Sequence, residues 1–103
     1  MQKVLAGKLE DFPIGAQKLV ELEDDFVLVV HSISGFWAIE DRCSHDDNEL
    51  YGGEIVENTI KCPRHGAKFD LETGKALCLP AVKAVKSFAV VLENEGVYVV
   101  SRG

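Results

Sequence analysis

The chain has 103 residues, 47% of them apolar, and a formal charge of −6, so a single domain over residues 1–103 is expected, with a modest core and no room for a second. The negative balance argues against nucleic acid as a partner, because phosphate binding calls for a basic stripe; it either steers the chain to a basic docking face or simply keeps a small protein soluble. No stretch nears the roughly twenty apolar residues of a membrane span, and Met1-Gln2-Lys3-Val4 opens no export signal, so a soluble, cytoplasmic protein without membrane contact is expected.

Strand signals dominate in chain order. Val4-Leu5-Ala6 reads as a first strand, followed by a loop from Leu9 to Gly15. Gln17–Leu22 alternates polar and apolar residues, as a half-buried strand does. Phe26–His31 is rich in β-branched residues, and Ser34-Gly35 turns it into Phe36–Ile39. Glu54–Val56 and Thr59–Lys61 bracket a turn at Glu57-Asn58, and Lys68–Leu71 is a short strand. Phe88–Leu92 and Val97–Val100 flank Asn94-Glu95-Gly96, a hairpin signal. No segment carries a sustained helical period, and the best candidate, Ala81–Lys86, is too short to matter. Many short strands with Gly and Asn turns predict an all-β antiparallel sandwich or barrel.

Between these strands lie two boxes, Cys43-Ser44-His45 and Cys62-Pro63-Arg64-His65-Gly66, separated by residues 46–61. Each supplies one thiolate and one imidazole. In an extended segment, residues two apart point to the same side, so Cys43 and His45 can face one object. Pro63 sets φ at the start of a tight turn, and Gly66 frees the backbone after His65. Two Cys and two His divided in this way suit a [2Fe–2S] cluster in which one iron takes sulfurs and the other nitrogens. A structural zinc site is the competing reading, although zinc knuckles space their ligands more widely than Cys43-x-His45. A Cys43–Cys62 disulfide is a third, and leaves both histidines unexplained. Cys78 lies outside the boxes and reads as a small core residue. His31 reads as a surface or edge residue.

Over nearly its whole length, and most densely from Phe36 to Pro80, the chain resembles the Rieske-type ferredoxins, the small soluble electron carriers of bacterial multicomponent oxygenases. Phe36–Arg42 is similar to the strand entering the first box. Leu50 and Gly53 match residues that follow it. Cys62–Asp70 resembles the second box with its exit strand, Thr73-Gly74 the next turn, and Pro80 the loop covering the cluster. The resemblance implies a Rieske (ISP-like) fold, with a β-sandwich or barrel base and a small cluster-binding part inserted at about residues 42–71. It implies one [2Fe–2S] cluster per chain, held by Cys43, His45, Cys62 and His65.

The expected partners are a flavin-dependent NAD(P)H reductase as donor and a terminal oxygenase or similar acceptor. A small Rieske-like subunit of a larger enzyme, such as an assimilatory nitrite reductase, is the alternative. Retention of all four ligand residues favours the working carrier. The chain is not expected to be an enzyme: beyond the box histidines only His31 remains, too few for a mononuclear iron site.

The oxidised centre, with two ferric irons, two sulfides, two thiolates and two neutral imidazoles, carries no net charge, so an added electron meets less repulsion than on a four-cysteine cluster. High-potential relatives carry an extra, disulfide-bonded Cys in each box and hydroxyl donors after the second. Here those positions are Asn48, Arg64, Ala67 and Phe69. The resemblance therefore implies a potential towards the bottom of the range of about −150 to +300 mV.

Overall fold

A computed structural model describes residues 3–22, 24–42, 49–63, 66–77 and 83–101. The nine described strands are β1 (Lys3–Lys8), β2 (Gln17–Leu22), β3 (Asp25–Ser32), β4 (Gly35–Glu40), β5 (Glu54–Val56), β6 (Thr59–Lys61), β7 (Lys68–Asp70), β8 (Ser87–Glu93) and β9 (Gly96–Val100). Six of them form one antiparallel sheet in the order β1-β9-β8-β4-β3-β2. Its terminal strands β1 and β2 lie alongside each other, so the sheet nearly closes into a barrel. The seam between its halves is short: β4 meets β8 only at Ala38–Phe88 and Ile39–Ser87. The remaining strands form a separate sheet, β5-β6-β7, inserted between β4 and β8.

The run Val27–Val30 explains how the layers stack. All four residues are fully buried, which a strand achieves only when covered on both faces. Val27 and Val29 point into the barrel with Phe12, Leu22, Ala38, Phe88, Val97 and Val99. Leu28 and Val30 point outward, where Leu50, Ile60, Cys62, Ala67, Phe69 and Leu71 cover them. The inserted sheet is thus a lid on the outer face of β3 and β4, with its own core beneath it.

Polar contacts fasten the lid. Trp37 Nε1 donates to the buried Ser32 Oγ at 2.9 Å, Ser32 meets Ser34, and the Ser34 hydroxyl bonds Asn58 Oδ1 in the β5–β6 turn. The Asn58 carbonyl then accepts from Leu71 N at 2.7 Å. At the exit, Gly74 has φ +78 and a Cβ there would stand 2.1 Å from the Val85 carbonyl oxygen, so only glycine fits where the lid returns to the base.

The described strands fall where the sequence pattern put them, with differences that have physical causes. Leu9–Asp11 forms one turn of 3-10 helix within the expected loop. Leu71 leaves the strand because its N–H is taken by Asn58. In the last hairpin the left-handed residues are Asn94 (φ 48) and Glu95 (φ 62), not Gly96; a two-residue turn of this hand needs both central residues there. Gly96 instead pairs with Lys8 and Glu93. Residues 83–86 are not helical, and Ala81 and Val82 lie outside the described residues. His31 is neither a surface nor an edge residue. It is half-buried in the interior strand β3, donates from Nδ1 to the Phe12 carbonyl at 2.6 Å and stacks on Phe36 with ring centroids 3.9 Å apart. Among the described residues no helix is long and apolar enough to cross a membrane.

Candidate metal centre

Cys62 follows β6 directly and begins a tight turn. Its N–H donates to the Ala67 carbonyl at 2.6 Å, and Gly66 N returns to the Cys62 carbonyl at 3.2 Å. Gly66 has φ +76, the freedom its position in the box calls for. The residue is 1% exposed, in the core that also holds Ala67 and Phe69. Its thiol is free, which removes the Cys43–Cys62 disulfide considered from the sequence. A buried thiol whose own N–H and carbonyl are both bonded to residues 66–67, with no disulfide partner, fits a sulfur ligand.

Cys43, His45 and His65 lie outside the described residues, as do Asp46, Asp47, Asn48, Arg64, Cys78 and Pro80. Among the described residues no three His, Cys, Asp or Glu side chains converge on one point; only Cys62 of the two boxes' four donors is among them. The structure does describe both feet of the first box. Asp41 lies just beyond β4, and its Oδ1 accepts from Leu50 N and from Tyr51 N, both at 2.9 Å. One carboxylate oxygen therefore closes the chain between residue 41 and residues 50–51 at the base of the first box. Burial pushes the Asp41 carboxyl above its ordinary value; the N–H groups of Tyr51 and Leu50 pull it back, and the charge of Glu49 raises it again.

The next two residues are held from β2. Gln17 Oε1 accepts from Gly52 N at 2.8 Å, and Gln17 Nε2 donates to the Gly53 carbonyl at 2.9 Å. Gly53 N closes the turn on the Leu50 carbonyl at 2.9 Å. A Cβ on Gly53 would lie 2.2 Å from the Lys61 carbonyl oxygen, which is the peptide leading into Cys62. The turn Leu50–Gly53 thus touches the feet of both boxes. Leu50 and Gly53 carried the resemblance in the sequence; Gln17 and Asp41 drew no notice as supporting residues. The only available signal for Asp41 was a short polar acceptor two residues before the first Cys. Nothing local marks Gln17, whose partners lie 35 and 36 residues away.

Residues 2–89 match the Rieske [2Fe–2S] domain family. The chain is 38% identical over 100 residues to the 3-phenylpropionate/cinnamic acid dioxygenase ferredoxin subunit of Photorhabdus laumondii, spanning 96% of this chain and 94% of that one. Among solved structures it is similar to the ferredoxin of carbazole 1,9a-dioxygenase from Nocardioides aromaticivorans IC177, with TM-score 0.91 and 28% identity over 99% of this chain and 100% of that one. It is also similar to a chain in a complex of reduced oxygenase and oxidized ferredoxin in carbazole 1,9a-dioxygenase, with TM-score 0.88 and 26% identity over 95% and 92% of the two chains.

The chain belongs to the Rieske [2Fe–2S] domain family. Its cofactor is a [2Fe–2S] cluster rather than structural zinc, and it is the ferredoxin, electron-carrying component of a dioxygenase-type system and not the catalytic oxygenase.

Proposed function

We propose that this protein takes single electrons from an NAD(P)H-dependent flavin reductase and delivers them to a terminal oxygenase. Cys43, His45, Cys62 and His65 hold the cluster, and the segment from about residue 42 to residue 71 is the cluster-binding part of a single domain spanning residues 1–103. The observation carrying this reading is that all four donors are present, in two boxes, on a chain matching ferredoxin subunits nearly end to end. A relative seen together with its oxygenase supports the choice of acceptor. The names of the sequence relatives suggest an aromatic acid as the oxygenase's substrate. A reducing cytoplasm suits a chain whose box cysteines serve a cluster rather than a disulfide.

When bound, the cluster supplies reversible one-electron storage. The chain's own residues do the rest. The turn from Cys62 to Ala67 orients one ligand pair, and Asp41 closes the segment carrying the other. Ile60, Phe69 and Leu71 exclude water from the side facing the base, which limits rearrangement on electron transfer. An EPR spectrum of the dithionite-reduced protein is the test. A mixed Cys/His [2Fe–2S] signal that disappears in His45→Ala and His65→Ala is the expected result. A colourless, zinc-containing protein, or variants that keep an unaltered signal, would overturn the ligand assignment.

A further inference from the structure

The two ligand boxes come from separate parts of the chain, so something must set their spacing. The turn Leu50–Gly53 is placed to do it. On one side it ends the segment that begins at Asp41 and carries the first box. On the other, Gly53 lies against the Lys61 carbonyl, one residue before Cys62, with no room for even a methyl group. The turn is held from two sides: Asp41 Oδ1 accepts from Leu50 N and Tyr51 N, and Gln17 ties Gly52 N and the Gly53 carbonyl to β2. Gln17 belongs to β2, whose ladder with β3 runs unbroken from Gln17–Val30 to Leu22–Asp25. The grip therefore refers both boxes to the most regular part of the barrel.

We propose that Gln17 is a positioning residue, which fixes the spacing of the two ligand boxes by holding the Gly52–Gly53 backbone against β2. The proposal rests on the ligand set proposed above. Gln17 acts through the turn, whose Gly52 and Gly53 backbone it holds. An amide suits the task because it presents one donor and one acceptor side by side, matching an N–H and a carbonyl on consecutive residues. Groups hydrogen-bonded directly to metal ligands change affinity by about 10–100-fold when removed, and Gln17, one step further from the metal, is expected at the lower end of that range.

The test compares holoprotein of wild type, Gln17→Met, Gln17→Glu and Val20→Ala by EPR g-values, midpoint potential, Tm and the rate of cluster loss to a chelator. Gln17→Met keeps the length and removes both hydrogen bonds. It is expected to shift the g-values and potential and to lose cluster about tenfold faster or more. Gln17→Glu keeps the acceptor for Gly52 N but sets a carboxylate oxygen against the Gly53 carbonyl, so its g-value shift and cluster loss should be at least as large as those of Gln17→Met. Val20 lies on the same strand but packs against the barrel interior; Val20→Ala should lower Tm and leave the g-values unmoved.

A Gln17→Met protein that loses Tm like Val20→Ala but keeps wild-type g-values and potential overturns the proposal. Should Gln17→Met fail to load, Gln17→Glu decides: shifted g-values or faster cluster loss supports the role, and wild-type g-values with wild-type cluster retention refute it. A wild type without a mixed-ligand signal sinks the ligand assignment and this proposal together. A normal wild-type signal beside an unmoved Gln17→Met signal sinks this proposal alone.

Discussion

Replacing Gly53 by alanine tests whether the turn beneath the ligand boxes is as tightly packed as its geometry indicates. The added Cβ would stand 2.2 Å from the Lys61 carbonyl oxygen, 3.0 Å from that of Leu50 and 3.1 Å from Ile60 Cγ1. The nearest atom is backbone in a paired strand and cannot swing aside, so the turn must lift by about 1 Å to reach ordinary contact. Overpacking of this kind costs about 1–3 kcal/mol. Lifting the turn also weakens the two Gln17 hydrogen bonds, each contributing about 0.5–1.5 kcal/mol. Together these predict a loss of about 2–6 kcal/mol, a large part of the roughly 5–15 kcal/mol that stabilises a domain of this size. At about 4–8 °C per kcal/mol, Tm should fall by about 10 °C or more.

Gly52→Ala is the control. Gly52 has φ +87 but open space around its Cβ position, so only the left-handed backbone penalty of about 1–2 kcal/mol applies. Denaturant titration of both variants, in apo and holo forms, gives the comparison. If Gly53→Ala loses less stability than Gly52→Ala, the close approach to Lys61 is not a constraint and the reasoning fails.

Asp41→Asn should be tolerated, because an amide oxygen still accepts from Leu50 and Tyr51, whereas Asp41→Ala strands the buried Leu50 N–H and should cost about 1–3 kcal/mol by denaturant titration. The same pair gives a pH signature. With its folded pKa raised above 3.8, Asp41 contributes stability at low pH that is lost as pH rises through that folded value. The stability of Asp41→Asn relative to wild type should therefore increase from acid to neutral pH, and a flat or falling difference would contradict the assignment. Ala67→Ser and Phe69→Tyr each place a hydroxyl in the core shared with Cys62. A hydrogen bond of about 0.5–1.5 kcal/mol favouring the reduced state corresponds to about 20–60 mV upward for one electron, read by redox titration. Cys62→Ser should yield apoprotein without visible absorption, since the hydroxyl is a poor iron ligand.

Why the fold was readable and the support of the site was not comes down to the range of each interaction. Strand alternation and turn chemistry are local: Gln17–Leu22, Val27–Val30 and the Asn94-Glu95 hairpin each carry their signal within a few residues. The proposed ligand boxes, Cys43-x-His45 and Cys62-x-x-His65, are also local signals, each legible within four residues of sequence. His31 could not be placed the same way. Whether β3 is an edge or an interior strand depends on β2 and β4 joining it from either side, and on the Phe12 carbonyl that its ring reaches. The Asn58 contact with Ser34 and the Gln17 contact with Gly52 likewise join residues far apart in sequence. An amphipathic strand pattern requires a polar residue at position 17 but does not require glutamine.

The same contrast explains how the molecule divides its work. A cluster binds only if four donors are brought to one place, and ordering them separately would oppose binding by about 1–2 kcal/mol of backbone entropy per residue. The barrel core of Phe12, Leu22, Val27 and Val99 is a hydrophobic cluster separate from the one that holds Cys62, yet it orders β2 and β3. Those strands then hold the lid through Leu28 and Val30 on one side and through Gln17 on the other. Ordering of the donors is thereby charged to folding of the base rather than to binding of the metal. This accounts for a chain in which the chemistry occupies two short boxes and most of the remaining residues serve to keep them in register.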